Sequence, residues 1–234
     1  MISVFTMAFN EEVLLQFMID HYRSRFPGCE IYVYDNESTD RTAEIALANN
    51  CHVIPYLTNG QVDDKKLTEH KNSCWKQSKT DWVLVCDVDE LLDINQSDLI
   101  NEETLGTTII KSEGYNMVNM EDNFDLAEIT HGARCLPYDK SYLFNKRLIK
   151  EINYAPGGHN CSPIGNIAYS NKAYLLYHYN GINIEYHVQR HILTGQRMSE
   201  VNRSNGWGNQ YLISPEQKRQ AMLHARTYAT KVKL

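Results

Sequence analysis

The chain has 234 residues, 42% of them hydrophobic, and a formal net charge of −6. That is enough for one sizeable core, and it argues against nucleic acid as the main partner, since a phosphate backbone needs a basic surface. No run of about 18 apolar residues appears, so no membrane span is expected and at most peripheral association stays open.

In chain order, "MISVFTMAFNEE" lacks the basic flank and small-residue cleavage site of a signal peptide, and its apolar part predicts a first strand. Asn10 is placed to cap a helix with Glu11 and Glu12 in its first turn, and apolar residues from Val13 to Tyr22 recur at helical spacing until Pro27-Gly28. "EIYVYD" is a second strand, "NESTD" a polar turn before the helix "RTAEIALANN", and "CHVIPY" a third strand. The helix "LTEHKNSCWKQS" then leads into a fourth strand, "WVLVCD". This alternation predicts an α/β fold with a mostly parallel central sheet and helices on both faces. After residue 105 the pattern changes to one or two strands in "TTIIKSEGYNMVNM", a Gly- and Pro-rich loop, the strand "AYLLYHY" and helical stretches near 184–204 and 215–229. One domain is expected, with 1–105, 106–183 and 184–234 as its successive parts. The six cysteines, Cys29, Cys51, Cys74, Cys86, Cys135 and Cys161, form no CxxC pair. They fit buried thiols in a reducing cytoplasm better than a disulfide framework or a zinc site.

Ligands of such sheets bind beyond the carboxyl ends of the strands, which sets Asn10, Asp35 to Asp40 and Asp87 to Glu90 along one rim. Asp87 and Asp89, one residue apart at a strand end, are either a solvated acidic turn or two hard oxygen ligands for Mg²⁺ or Mn²⁺. Asp35 can accept hydrogen bonds from a base N–H or a ribose hydroxyl while its segment also caps a helix. Lys71 is either a solvated helix lysine or a counter-charge to a diphosphate at the same rim.

"TMAFNEE", "YDNESTDRT", "KNSCWK" and "DWVLVCDVDELL", followed by "GYNMV", "IKEINYAPGGHNCSPIG", "LLYHY" and "RMSEVNRSNGWGNQY", resemble the successive motifs of family 2-like glycosyltransferases with the GT-A fold. The resemblance implies a nucleotide-sugar donor, with UDP the expected nucleotide, a glycan or other hydroxyl acceptor, and transfer with inversion. It places the base and ribose at Ala8, Asn10, Asp35 and Asn36, and Lys71 near the nucleotide. Asp87 and Asp89 become the pair that meets a divalent cation, Mn²⁺ or Mg²⁺, bridging the donor diphosphate. His159, in "PGGHNCSP", is the candidate third ligand, since a histidine from a C-terminal loop serves so in several GT-A families.

The sequence departs from the family pattern at the catalytic base. The Glu-Asp pair expected well downstream occurs early, as Glu121-Asp122; both are base candidates, with Glu151 in reserve. In the tail, Arg190, Arg197, Arg203 and Trp207 belong either to an ordinary amphipathic helix or to a segment folded over the donor. A nucleotidyltransferase is the rival enzyme, though "MAFNEE" is acidic where a triphosphate grip would be basic and Gly-rich. A sugar-nucleotide-binding module without catalysis is the rival from another class.

Overall fold

A computed structural model describes residues 1–121 and 124–232, apart from the side chain of Asn180. Strand β1 (Ile2–Ala8) lies between β2 (Glu30–Asp35) and β4 (Trp82–Asp87), and β3 (His52–Pro55) extends the row beyond β2. All three pairings are parallel. A strand flanked on both sides and covered on both faces is apolar throughout rather than alternating, which is why β1 and β4 are buried along almost their whole length.

Helices α1 (Leu15–Arg25) and α2 (Thr42–Ala48) make the crossovers from β1 to β2 to β3 and pack against each other. Helix α3 (Asp64–Lys71) and a 3₁₀ turn at Cys74–Gln77 carry the chain back across β1 to β4. Right-handed crossovers in opposite directions put α1 and α2 on one face and α3 on the other. The reversal between β1 and β4 is where a crevice opens at the strand ends.

The second half joins the same sheet. After β5 (Glu90–Leu92) and α4 (Gln96–Thr104), the single long strand β6 (Ile109–Val118) pairs antiparallel with β7 (His131–Arg134). Strand β8 (Leu143–Asn145) is antiparallel to both β4 and β6. The two-residue strand β10 (Ile164–Gly165) pairs with β9 (Ile149–Glu151). Strand β11 (Tyr169–Gly181) runs parallel to β6 and antiparallel to β5, setting His178 opposite Glu90. Helices α5 (Ile184–Arg197), α6 (Glu200–Asn205) and α7 (Pro215–Ala225) form the tail, and β12 (Thr230–Lys231) returns to β7. The α/β class with a largely parallel sheet centre and a helical tail is therefore as expected.

Four local expectations are corrected. Asn10 caps no helix; it takes a left-handed φ of 53°, which Asn tolerates better than most residues, and its Oδ1 accepts a hydrogen bond from Thr39 N at 2.8 Å. Helix α1 starts only at Leu15, without a side-chain cap. Helix α3 starts earlier than its apolar pattern implies, because Asp63 caps it by accepting from Lys65 N and Lys66 N, each at 3.1 Å. The stretch 184–204 is two helices, broken at Met198, which leaves the helical conformation to pair with Val62 while Ser199 caps α6.

Candidate active site

The end of β4 delivers Asp87 into a cleft of about 330 Å³ that Asp89, Lys71, Lys140, His178 and Arg190 also line. Lys71 closes α3 and is almost fully buried, with Nζ 2.6 Å from Asp87 Oδ1. Burial works against its charge, but the Asp87 and Glu90 carboxylates outweigh it and hold the ammonium above the usual lysine range. Burial likewise opposes ionisation of Asp87, yet Lys71 and then Lys140 keep it below the usual carboxylate range. Asp89 is held lower still: burial is outweighed by His178, whose Nε2 lies 3.6 Å from Oδ2, and by Arg190 and Lys140. Both aspartates are anions at neutral pH.

A second layer fixes these groups. Lys140 Nζ donates to Glu90 Oε1 at 2.6 Å, with both side chains at most 2% exposed, and also donates to the Tyr142 hydroxyl. Among the described residues, Glu90 Oε2 is buried without a partner. Tyr138 stacks on His178 with ring centres 3.9 Å apart, and His178 Nδ1 meets Asn116 Oδ1 at 2.7 Å. Arg190 holds Glu11 through two bonds of 2.5 and 2.6 Å.

The cleft lining also includes Phe9, Tyr56, Val62 and Leu67, together with Asn36. Asn36 Nδ2 donates to Tyr56 O and to Thr58 Oγ1, each at 2.8 Å, which fixes the orientation of its amide.

Of the residues singled out in the sequence, Ala8, Asn36, Lys71, Asp87, Asp89 and His159 line this one cleft. Asn10 and Asp35 do not. They tie the β1–α1 and β2–α2 turns together behind it, where Asp35 Oδ1 accepts from Ser38 N at 3.3 Å and Ser38 Oγ accepts from Asn10 N at 3.0 Å. Glu121 is exposed in the turn after β6, bonded through its N–H to Asn119 Oδ1 and outside the cleft lining. Asp122 lies outside the described residues. Glu151, half-buried, pairs with Lys76 at 2.7 Å and does not line the cleft. Of the tail, Arg190 and Arg197 reach the cleft, whereas Arg203 and Trp207 do not line it. Tyr138, one of the second-half aromatics that suit either stacking on a sugar face or a core, lines the cleft. Lys140 was not legible beforehand, because "LPYDKSY" carries no periodicity that would mark it.

Whether a divalent cation suits this cleft is a question of charge and ligand type. Six carboxylates (Glu11, Asp63, Asp64, Asp87, Asp89, Glu90) face four permanent cations (Lys71, Lys140, Arg190, Arg197), leaving −2 with histidines neutral. A diphosphate entering it needs added positive charge, and oxygen ligands suit Mg²⁺ or Mn²⁺. Asp87 and Asp89 are the residues that would hold the ion. The expected trio is not assembled, since no group of three His, Cys, Asp or Glu side chains poised for a metal occurs among the described residues. His159 lines the cleft with Nδ1–H donating to Pro137 O at 2.8 Å, and burial first, then the Lys140 charge, lowers its pKa.

A parallel sheet reversed beside a cleft lined by ion-paired carboxylates and aromatic rings is an α/β arrangement of the kind that binds ligands beyond its strand ends. Residues 3–98 match the family model described as Glycosyl transferase family 2, so this part of the chain is family 2-like. Over 63 residues the chain is 33% identical to Protein RfbJ of Shigella flexneri, covering 26% of this chain and 49% of that one. The match thus spans about half the length of that curated relative. Among solved structures, S. aureus TarS 1-349 in complex with UDP is similar at 15% identity and a TM-score of 0.48, over 94% of this chain and 69% of that chain. Glucosyl-3-phosphoglycerate synthase from Mycobacterium tuberculosis, with Mn²⁺, UDP and phosphoglyceric acid, is similar at 21% identity and a TM-score of 0.40, over 68% and 60% of the two chains.

Proposed function

We propose that the chain is a metal-dependent glycosyltransferase of GT-A type that moves a sugar from a nucleoside-diphosphate donor to a hydroxyl acceptor with inversion. The observation that carries this is the pair Asp87 and Asp89 at the end of β4, held as anions by Lys71, Lys140 and Arg190 inside a cleft that Phe9 and Tyr56 also line. The base lies against Phe9 and Tyr56, and Lys71, Asp87 and Asp89 mark the diphosphate end. Mn²⁺ or Mg²⁺ held by the two aspartates would neutralise charge on the departing nucleoside diphosphate. The chain's own groups orient the donor: the Lys71 ammonium and the Arg190–Glu11 pair set the local charge, and Lys140 and His178 hold the acidic turn in place.

Inversion requires a group that takes the acceptor proton. Glu121 and Asp122 stay the candidates for it; Glu121 does so only in a complex that brings the turn after β6 to the cleft. All three parts of the chain share the donor site, since 1–105 supplies Lys71 and Asp87, 106–183 supplies Lys140 and His159, and 184–234 supplies Arg190. A cytoplasmic setting accords with six free cysteines. No helix among the described residues is long and apolar enough to cross a membrane.

The test is calorimetric titration with UDP, GDP and dTDP, each with and without MnCl₂, followed by mass spectrometry for hydrolysis of the matching sugar nucleotides. Tight binding of one nucleotide only when Mn²⁺ is present, with slow hydrolysis, is expected. Binding without any hydrolysis or transfer would instead mark a sugar-nucleotide-binding module.

A further inference from the structure

Arg197, the last residue of α5, lines the cleft beside Phe9 in an unusual pose. Its Cζ is 3.1 Å from the centre of the Phe9 ring. Its Nε donates to Gly60 O at 2.9 Å and its Nη2 to Asn36 Oδ1 at 2.9 Å. A flat group therefore lies on an aromatic ring and donates from its edge to two carbonyl-type oxygens. A planar heterocycle with N–H groups on its edge would make the same contacts at the same place. Stacked rings need roughly 4.5–7 Å between centroids, so no base fits between Phe9 and a guanidinium this close.

The arginine is presented by a short, separable bridge. Val62 N donates to Arg197 O at 2.7 Å and Ser199 N donates to Val62 O at 2.9 Å, as Met198 pairs with Val62. Two backbone hydrogen bonds join the loop to the tail there, and the helix has already ended at Arg197. Moving the guanidinium off Phe9 leaves α5 intact.

We propose that Arg197 governs entry to the base subsite: in the free chain it occupies the Phe9 face on which the base stacks, and the nucleotide displaces it. This rests on the reading of the cleft as a nucleotide-sugar site. Displacement leaves Asn36 Oδ1 and Gly60 O as vacant acceptors, so the favoured base carries edge N–H donors. Uracil meets that demand with N3–H and cytosine with its N4 amino group. Nucleotide affinity is the intrinsic affinity multiplied by the fraction of chains in which Arg197 is unseated.

The test compares calorimetric titrations of UDP and CDP, with MnCl₂ present, into the wild-type chain and Arg197→Ala. UDP and CDP are each expected to bind about tenfold tighter to Arg197→Ala, the size of effect that losing a desolvated cation–π competitor allows. Arg197→Lys keeps the charge without the planar fork and serves if Arg197→Ala does not fold; it is expected to gain part of the same affinity. Hydrogen exchange supplies a second readout, since UDP should speed exchange at the Val62 and Ser199 amides of the wild type. UDP binding by the wild type with unchanged or weaker binding by both variants overturns the role of Arg197 and leaves the nucleotide site standing. Failure of the wild type and of both variants to bind any nucleoside diphosphate, with or without Mn²⁺, overturns the nucleotide site and this inference together.

Discussion

Lys71 Nζ and Asp87 Oδ1 are 2.6 Å apart, and the lysine side chain is 3% exposed where the aspartate is 36% exposed. The two partners therefore depend on each other unequally. Water reaches the carboxylate, whereas the buried ammonium is held charged by Asp87 first and Glu90 after it. The donor end of the cleft is built around a buried cation that its acidic turn keeps charged.

That inequality predicts an order of stabilities. Asp87→Asn strands a buried ammonium and should cost about 3 kcal/mol, as for breaking a buried pair. Lys71→Met leaves a carboxylate that can be hydrated and should cost nearer 1 kcal/mol. Urea unfolding of the two variants decides it; a larger loss in Lys71→Met would show that the aspartate is the dependent partner.

The Glu90–Lys140 pair should behave differently, because both side chains are out of water. Glu90→Leu and Lys140→Met alone should each destabilise by about 3–5 kcal/mol, whereas the double variant should lose clearly less than either sum predicts. Additive losses in a double-mutant cycle would mean that the two charges do not act as a unit.

Asp89→Asn should leave the fold intact and remove the Mn²⁺-dependent part of UDP stabilisation. In the wild type that part is about 2.7 kcal/mol at a hundredfold excess over Kd. Thermal shifts with UDP alone and with UDP plus MnCl₂ give the comparison. An unchanged Mn²⁺ increment in the variant removes Asp89 from the metal site.

Asp89 also predicts a pH dependence. Its folded pKa is depressed below its unfolded value by His178, Arg190 and Lys140 acting against burial. The unfolded aspartate, with a pKa of about 3.9, takes up a proton first as the pH falls. The stability that Asp89 contributes is thus present above about pH 4 and lost progressively below it. Unfolding curves of wild type and Asp89→Asn should therefore differ most at pH 7 and converge towards pH 3; a constant difference across that range would contradict the assignment.

Much of this was legible in the residues alone. The alternation of apolar strands with helical periods predicts a mostly parallel sheet, which the structure orders β3-β2-β1-β4, and the acids after "WVLVC" mark where its fourth strand ends. Local chemistry determined these features, because burial on both faces demands an unbroken apolar run and a strand end demands polar turns. Asn10 was misread for an equally local reason: Asn suits both an N-cap and a left-handed φ, and the partner that decides between them, Thr39, lies 29 residues away.

What the sequence could not contain is which distant residues meet the acidic turn. Lys140, His178 and Arg190 converge on residues 87–90 only because β8 pairs with β4, β11 pairs with β5, and α5 folds across the open end of the sheet. None of these pairings leaves a period or spacing in the chain. Asp87 and Asp89 announced themselves in thirteen consecutive letters, "WVLVCDVDELLDI". Of the cations that keep them ionised, Lys71 was legible as a counter-charge at that rim, whereas the part of Lys140 was decided by tertiary structure. The reason is that a carboxylate takes its charge state from whatever the fold places within a few ångströms, however far away in the chain.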